Sequence, residues 1–416
     1  MKILITTFGT RGDIQPFIAL AKGLLAAGYE IALATAQGFQ RDVEAHHVPY
    51  AYMDNTLLEL TESVLDDSRG MGNMLSSIRQ MGPAIRRMMD DEWAAVRDFQ
   101  PDVIIYHPKC LGSIHTAEKL GIPAMLSVPL PYAPTREFAM PFFTADLGPR
   151  LNRLTYQITG LSSAMYANSV NDFRKKTLKL PPVGRFADWM IRANGEPVPM
   201  LNSYSPQVVP VPEDYLAHVH VTGYWFLDHD PNWQPDPALL DFLDAGPAPI
   251  YIGFGSVSAR NARKRTQHVL DAARATGQRV VFASGWGDVD TADFPDHVFA
   301  LKSVPHDWLF PRMQAVAHHG GAGTTAAGLR AGKPTIICPF LGDQPFWGKR
   351  VYDLGVGPQP IPQGKITADK LSQAIIQVIQ DEDMQQRAAE LGAKIRAEDG
   401  IACAINVITE TVLVRP

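Results

Sequence analysis

The chain has 416 residues, a length that predicts two domains rather than one core. Hydrophobic residues make up 46% and charged residues 19%, ample apolar material for burial and too little charge for a disordered polymer. The formal net charge of −5 offers no global positive field to a nucleic-acid backbone or an anionic membrane, so the expected partners are small molecules.

Residues 2–8 read as a buried strand, followed by the polar turn Gly9-Thr10-Arg11-Gly12-Asp13. Phe17, Leu20, Ala21, Leu24 and Leu25 then recur at helical spacing, Gly28 supplies a left-handed cap, and residues 30–35 form a second strand. This βαβ opening predicts a parallel sheet, extended by strands at 103–106 and 124–128. Between Gly195 and Pro249 lie ten prolines and no sustained helical period, which marks 195–249 as an interdomain region. Alternation restarts with a strand at 250–254 and a helix at 262–276, then strands at 279–283, 298–301, 315–318 and 335–338. A helix at 345–354 and closing helices at 369–396 and 401–413 complete the pattern. The expected fold is α/β: a Rossmann-like domain over 1–215, a second over 216–395, and a C-terminal helix in 396–416 able to pack back on the first.

Cys110, Cys338 and Cys403 lie far apart and form no CxxC pair, which excludes a disulfide framework and a cysteine zinc site and fits a reducing compartment. The apolar run after Lys2 is too brief for a signal sequence, and no stretch approaches the ~20 apolar residues of a membrane span. The expectation is a cytoplasmic monomer without an integral membrane segment, with room left for a peripheral membrane contact.

Ligands bind beyond the carboxyl ends of parallel strands, so two such sheets facing each other gather loops from both domains in one cleft. In His318-His319-Gly320-Gly321-Ala322-Gly323-Thr324-Thr325, a glycine-rich turn follows a strand and opens a helix, so backbone N–H groups and a positive helix end converge as an anion cradle. Gly321 and Gly323 permit close approach of a diphosphate, Thr324 can donate a hydroxyl, and His319 an imidazole N–H, making a metal unnecessary. A tight turn with glycines for packing alone has the same local pattern. Asp343 and Gln344 offer acceptors and donors suited to sugar hydroxyls, while Asp before Gln-Pro is equally a helix N-cap. Asp13, the carboxylate of the first loop, is either a general base or the cap of the helix beginning near Ile14.

Twelve of the 14 methionines precede Tyr204. Met74, Met81 and Met88, with Phe138 and Phe142, are candidates for a pliable apolar acceptor cleft, although a methionine stripe at helical spacing also describes a core. Arg11 and His107 are polar neighbours in cleft loops, read as a salt bridge and a satisfied histidine.

Three motifs carry a family resemblance: Gly9-Thr10-Arg11-Gly12-Asp13-Ile14-Gln15-Pro16, Val304-Pro305-His306-Asp307-Trp308-Leu309-Phe310-Pro311, and the His318 to Thr325 run. Together they resemble the sterol and antibiotic-aglycone branch of the inverting UDP-glycosyltransferase superfamily. The resemblance implies the GT-B fold, with the acceptor held by the first domain and the nucleotide sugar by the second. It implies Asp13 as the base that activates an acceptor hydroxyl, and His319, Ser256 and the Gly321 to Thr324 turn as holders of the diphosphate. It also implies Asp343 and Gln344 as holders of the sugar, with a lean to glucose from UDP-glucose. The implied acceptor is lipophilic: a sterol, terpenoid, polyketide or flavonoid. Two positions depart from the plant secondary-product pattern: Ser303 stands where that box begins with Trp, and Ala327 where it has the ribose-binding Glu. Base recognition is therefore assigned to backbone near Val304, leaving UDP and dTDP both open. The plant catalytic histidine is also replaced, by Asp13. Two rivals remain: an NAD-dependent oxidoreductase, disfavoured because the first loop lacks GxGxxG, and a non-catalytic aglycone-binding protein on the same fold.

Overall fold

The computed structural model describes residues 1–65, 70–143, 145–188, 190–192, 194–254, 262–283 and 294–413, and their side chains except those of 62–65, 70–79, Ser162, Ala262 and Leu413. Apolar, β-branched runs bounded by polar turns give twelve strands among these residues. The first seven are β1 (Lys2–Thr6), β2 (Glu30–Ala36), β3 (Tyr50–Met53), β4 (Val103–Tyr106), β5 (Ala124–Val128), β6 (Met200–Asn202) and β7 (Val219–Val221). They form one parallel sheet in the order β3-β2-β1-β4-β5-β6-β7. The others are β8 (Ile250–Gly253), β9 (Val280–Ala283), β10 (Val298–Leu301), β11 (Ala315–His318) and β12 (Thr335–Ile337), parallel in the order β10-β9-β8-β11-β12.

Alternation along the strands covers the first sheet on both faces. Ile3, Ile5, Leu33, Val103 and Ile105 pack with Phe17, Leu20 and Leu24 of the helix Arg11–Ala26. Leu4, Ala32, Ile104 and Leu126 pack on the other face with Ile85, Met88 and Met89 of the helix Gly70–Phe99. The closing helix Gly400–Leu413 joins the first domain: Ala404 and Ile408 are buried in the Phe17 cluster, and Tyr29 Oη and Thr409 Oγ1 share a 2.8 Å hydrogen bond.

The proline-rich region does more than link the domains. It supplies β6 and β7, so the first sheet reaches Val221, past the boundary expected at 215. Pro199 cannot donate to the ladder, but its carbonyl accepts from Leu126 N at 2.9 Å. The stretch expected as one closing helix at 369–396 is two, Ala368–Gln380 and Glu382–Arg396, broken where the Asp381 carboxylate caps the second by accepting from Met384 N.

The domains meet in an apolar cluster. Tyr204, Val208 and Tyr224 pack with Phe346, Trp347 and Val351 of the helix Gln344–Asp353, and the Arg350 guanidinium donates to Val208 O at 2.7 and 3.1 Å. Phe138 of the first domain lies against Phe346, ring centroids 5.8 Å apart.

A methyl at Gly23 would overlap the Ile401 side chain. Gly23→Ala is expected to loosen the closing helix and to cost about 1–3 kcal/mol in denaturant unfolding, with new proteolysis before Gly400; unchanged unfolding and proteolysis would contradict this docking.

Candidate active site

Both sheets reverse strand order beside their first strand, β1 against β4 and β8 against β11. Crevices open at the carboxyl ends of strands where the order reverses, and every candidate side chain described next follows one of those strands or a neighbour.

At the first reversal, the turn after β1 enters the helix Arg11–Ala26, with Asp13 as its third residue. The Asp13 carboxylate reaches back to accept from Thr10 N at 2.8 Å and from the Thr10 hydroxyl at 3.1 Å, so the capping role is real. It is not the whole role. From the loop after β4, Lys109 Nζ donates to Asp13 Oδ2 at 2.8 Å, and His107 Nε2 lies 3.4 Å from Oδ1. Gly9 makes this closeness possible: it has φ +138°, and a Cβ there would overlap Asp13 Oδ2 and approach Lys109 Nζ to 2.7 Å.

Burial alone would raise the Asp13 pKa. The Lys109 ammonium and its hydrogen bond, His107 and the Thr10 N–H together outweigh it and hold the carboxyl below its ordinary value. His107 is enclosed and pushed down to about 4, chiefly by burial, so its imidazole is neutral at pH 7. Its Nδ1 accepts from Lys109 N at 3.3 Å, which leaves the proton on Nε2, facing Asp13. The contact at 3.4 Å is therefore a loose polar one and not an ion pair.

At the second reversal, β11 ends at His318, and Gly320, with φ +89°, turns the chain into the helix Ala322–Arg330. A Cβ at Gly320 would stand 2.7 Å from Ile337 Cγ2 and 3.1 Å from Gln344 O, so only glycine lets this turn meet the start of the neighbouring helix. The two helix N-termini converge there, as anion binding requires. The backbone at Gly323 has open space beside it. His318 Nδ1 accepts from Gly320 N at 3.0 Å. Burial pushes the His319 imidazole down to about 4, and its buried Nδ1 has no partner among the described residues. Nε2 of this ring lies over Gly321, 2.7 Å from where a Cβ would be. Thr324 is half-buried in the first turn of the helix.

Asp343 occupies the N-cap position of the helix Gln344–Asp353, yet its carboxylate accepts from the Trp347 indole at 2.8 Å instead of capping. Burial raises its pKa, and the negative charge of Asp13 raises it further while Lys109 opposes. Asp13 and Lys109 thus act on Asp343 across the cleft. The same closeness appears at Arg11, whose charge, after burial, helps push His306 down to about 4, with His319 adding to it. The His306 ring stacks on Phe310, centroids 4.3 Å apart. Gln344 Oε1 is committed to the turn, accepting from Phe340 N and Leu341 N at 2.7 and 3.2 Å. Its side-chain N–H groups have no protein acceptor among the described residues.

Other candidates fall elsewhere. Met88 is a core side chain, clustered with Leu4, Ile104 and Tyr106, because its helix turns that face onto the sheet. Met81 packs half-buried against the same cluster, Phe138 lies on the interdomain contact, and Phe142 is exposed. Val304 is half-buried against Leu309 and Phe310. Ser256 and the Met74 side chain lie outside the described residues. Arg11 makes no ion pair among the described residues, contrary to expectation. Sequence reasoning missed Lys109. Its signal was positional, since β4 lies beside β1 and their loops must meet.

Comparison with known proteins agrees with this fold. Residues 3–139 match the Glycosyltransferase family 28 N-terminal domain, and residues 267–407 the Erythromycin biosynthesis protein CIII-like, C-terminal domain. Sterol 3-beta-glucosyltransferase UGT80A2 of Arabidopsis thaliana is 38% identical over 419 residues, covering 98% of this chain and 65% of the relative. UGT80B1 of the same plant is 35% identical over 420 residues, covering 98% and 67%. The sterol 3-beta-glucosyltransferase of Neosartorya fischeri is 37% identical over 427 residues, covering 98% of this chain and 29% of the relative. The chain thus spans about two thirds of the plant relatives' length and under a third of the fungal one's. Two solved structures share the fold across 99% of both chains at 18% identity: the glycotransferase of kitacinnamycin (TM-score 0.73) and glycosyltransferase VinC in complex with DTDP (TM-score 0.70). Two facing Rossmann-like domains with a site at each reversal define the GT-B architecture. The chain belongs to the GT-B glycosyltransferase superfamily, in its sterol and antibiotic-aglycone branch.

Asp13 is held ionised, so its interactions contribute stability above the unfolded carboxylate pKa and are lost as pH falls through the lowered folded value. Lys109→Met is expected to raise the Asp13 titration by ~1 unit or more, read by carboxyl ¹³C NMR, and to move the acid loss of stability to higher pH. A titration that stays in place would contradict the assigned ion pair.

Proposed function

We propose that this protein is an inverting glycosyltransferase that moves a hexose, glucose in our reading, from a nucleotide diphosphate to a hydroxyl of a sterol-like lipophilic acceptor. One observation carries this reading: an ionised carboxylate follows the strand reversal of the first sheet, and a glycine-rich turn with an unpartnered buried histidine nitrogen follows that of the second. The Asp343 dependence on both Asp13 and Lys109 supports their shared location. The names of the curated relatives support the sterol-like acceptor and the glucose.

In this mechanism Asp13 takes the proton of the acceptor hydroxyl as its oxygen attacks the anomeric carbon. The bond from that carbon to the diphosphate oxygen breaks on the opposite side, and its electron pair leaves with the diphosphate. Attack from the far face converts an α-linked donor into a β-glycoside. His319 and the backbone N–H groups of the Gly321 to Thr324 turn meet the charge gathering on the leaving group, fixed before reaction and shielded from water. Asp343 and the side-chain N–H groups of Gln344 orient the sugar. Lys109 keeps Asp13 ionised and sets the pH below which transfer fails.

Incubation with UDP-glucose or dTDP-glucose and a panel of hydroxylated lipophilic acceptors is expected to give hexosylated products by mass spectrometry, with β configuration by NMR. His319→Ala is expected to lower kcat by roughly 10²–10³. An α-linked product, or no product from any donor and acceptor pair, would overturn the proposal.

A further inference from the structure

Lys109 holds Asp13 from an exposed position. Its ammonium sits at the end of a flexible stem and donates to Asp13 Oδ2 at 2.8 Å, so the reach of this ion pair is set by the backbone that carries the lysine. That backbone is anchored inside the fold, at Glu92 of the helix Gly70–Phe99. Glu92 is completely buried; its Oε2 accepts from the Ser113 hydroxyl at 2.6 Å and its Oε1 from Gly112 N at 3.2 Å. Ser113 gives its one hydroxyl proton to Glu92, so in the 2.7 Å contact between Ser113 Oγ and Thr6 Oγ1 the threonine is the donor. Thr6 ends β1, and its carbonyl accepts from His107 N at 2.9 Å. The next residue, Thr7, donates its hydroxyl to Asp13 O at 2.7 Å. A chain of buried hydrogen bonds thus runs from Glu92 through the loop after β4 to the strand that delivers Asp13.

Burying a carboxylate without a cation is costly. Glu92 forms no ion pair among the described residues. Burial pushes its carboxyl up to about 7 against the hydrogen bonds of Ser113 and Gly112, and Asp91 on its own helix adds to the rise. What the carboxylate supplies is acceptors for a helix start: Gly112 stands at the N-cap of the helix Ser113–Leu120 and has no side chain with which to cap it. An apolar residue at 92 would leave the Gly112 N–H and the Ser113 hydroxyl without those acceptors. Gly112 also permits the close approach, since a Cβ there would stand 3.2 Å from Glu92 Cδ and from Met89 Cβ. The Cys110 thiol, buried in the same loop, is pushed well above its ordinary value by burial and then by Glu92. The charges of Lys109 and Asp13 act on it as well, which places the buried carboxylate and the ion pair around one residue.

We propose that Glu92 is a positioning residue for the Asp13 site: through Gly112 and Ser113 it fixes the loop 107–112 on the end of β1 and thereby sets the reach of Lys109 to Asp13. The hold on the ion pair stands on the hydrogen bonds alone, and its consequence for transfer rests on the reading of Asp13 as the base. Asp13 faces Lys109 and His107 from this loop, Thr10 from its own turn and Asp343 from the second domain, and the loop groups are the ones that Glu92 fixes.

The test uses the whole chain with Glu92→Leu, Glu92→Gln and Ser113→Ala, each first checked for a cooperative melt. Glu92→Leu removes both acceptors, and the Asp13 titration, read by carboxyl ¹³C NMR, is expected to rise by roughly half a unit or more. The acid limb of the transfer rate should move up with it, at an acceptor KM within about twofold of wild type. Glu92→Gln is expected to keep the wild-type titration, because its amide oxygen accepts from Gly112 N and its N–H group donates to Ser113, whose proton then turns to Thr6. Ser113→Ala, the smaller change, should raise the titration in the same direction and serves where Glu92→Leu does not fold. An Asp13 titration unmoved in Glu92→Leu, or in Ser113→Ala where that is the folded variant, would overturn the inference. So would Glu92→Gln shifting it as far as Glu92→Leu. A shifted titration in a protein that transfers no sugar would uphold the positioning and count against the proposed reaction alone.

Discussion

The ion pair between Lys109 and Asp13 is the interaction on which the site turns. A carboxylate enclosed beside a neutral histidine and a second carboxylate, Asp343, would take up a proton if burial acted alone. The Lys109 ammonium, joined by His107 and the Thr10 N–H, reverses that tendency. It is delivered by the loop after β4, and the carboxylate by the helix after β1, because the strand order reverses between those two strands. Gly9 then supplies the closeness, since any side chain there would occupy the space of the pair. Topology, turn chemistry and charge combine to hold an anionic oxygen at the carboxyl end of β1.

The second domain repeats the construction with opposite electrostatics. At its reversal lie backbone N–H groups, two helix N-termini and a neutral imidazole, dipoles suited to an anion, beside the Asp343 carboxylate that accepts from the Trp347 indole. Neutral histidines suit this arrangement, because a buried imidazolium without a carboxylate partner would carry a large desolvation penalty. His306 and His319 are both pushed down to about 4. In the reaction we propose, the first domain brings the fixed negative charge of Asp13 and the second brings fixed dipoles, with the Asp343 carboxylate tied to the Trp347 indole.

Much of this was legible in the chain. The βαβ opening, the restart at Ile250 and the glycine-rich turn after β11 are local patterns, and they marked both α/β units, while the strand order came from the fold. Asp13 was visible as the carboxylate of its loop, but the choice between cap and base was not, since both use the same atoms: Oδ2 accepts from Thr10 N and from Lys109 together. Lys109 lies 96 positions away, and nothing in its neighbourhood distinguishes it from any surface lysine. The strands β6 and β7 escaped because three-residue strands among prolines carry no periodicity. Met88 had the right composition for a ligand wall, yet composition cannot tell which face of a helix the sheet covers. The buried Thr159 and Ser163 show the limit most clearly, because their burial depends on neighbours that only the fold supplies.

The central claim is that the Asp13 carboxylate acts on the acceptor and leaves the donor site to the second domain. Its most direct test compares Asp13→Asn with wild type in two measurements on the same preparation, nucleotide-diphosphate affinity by calorimetry and transfer rate at saturating donor. The account predicts unchanged affinity and a rate lower by roughly 10² or more. A variant that transfers sugar at a near-normal rate, or that loses nucleotide binding along with transfer, would contradict it.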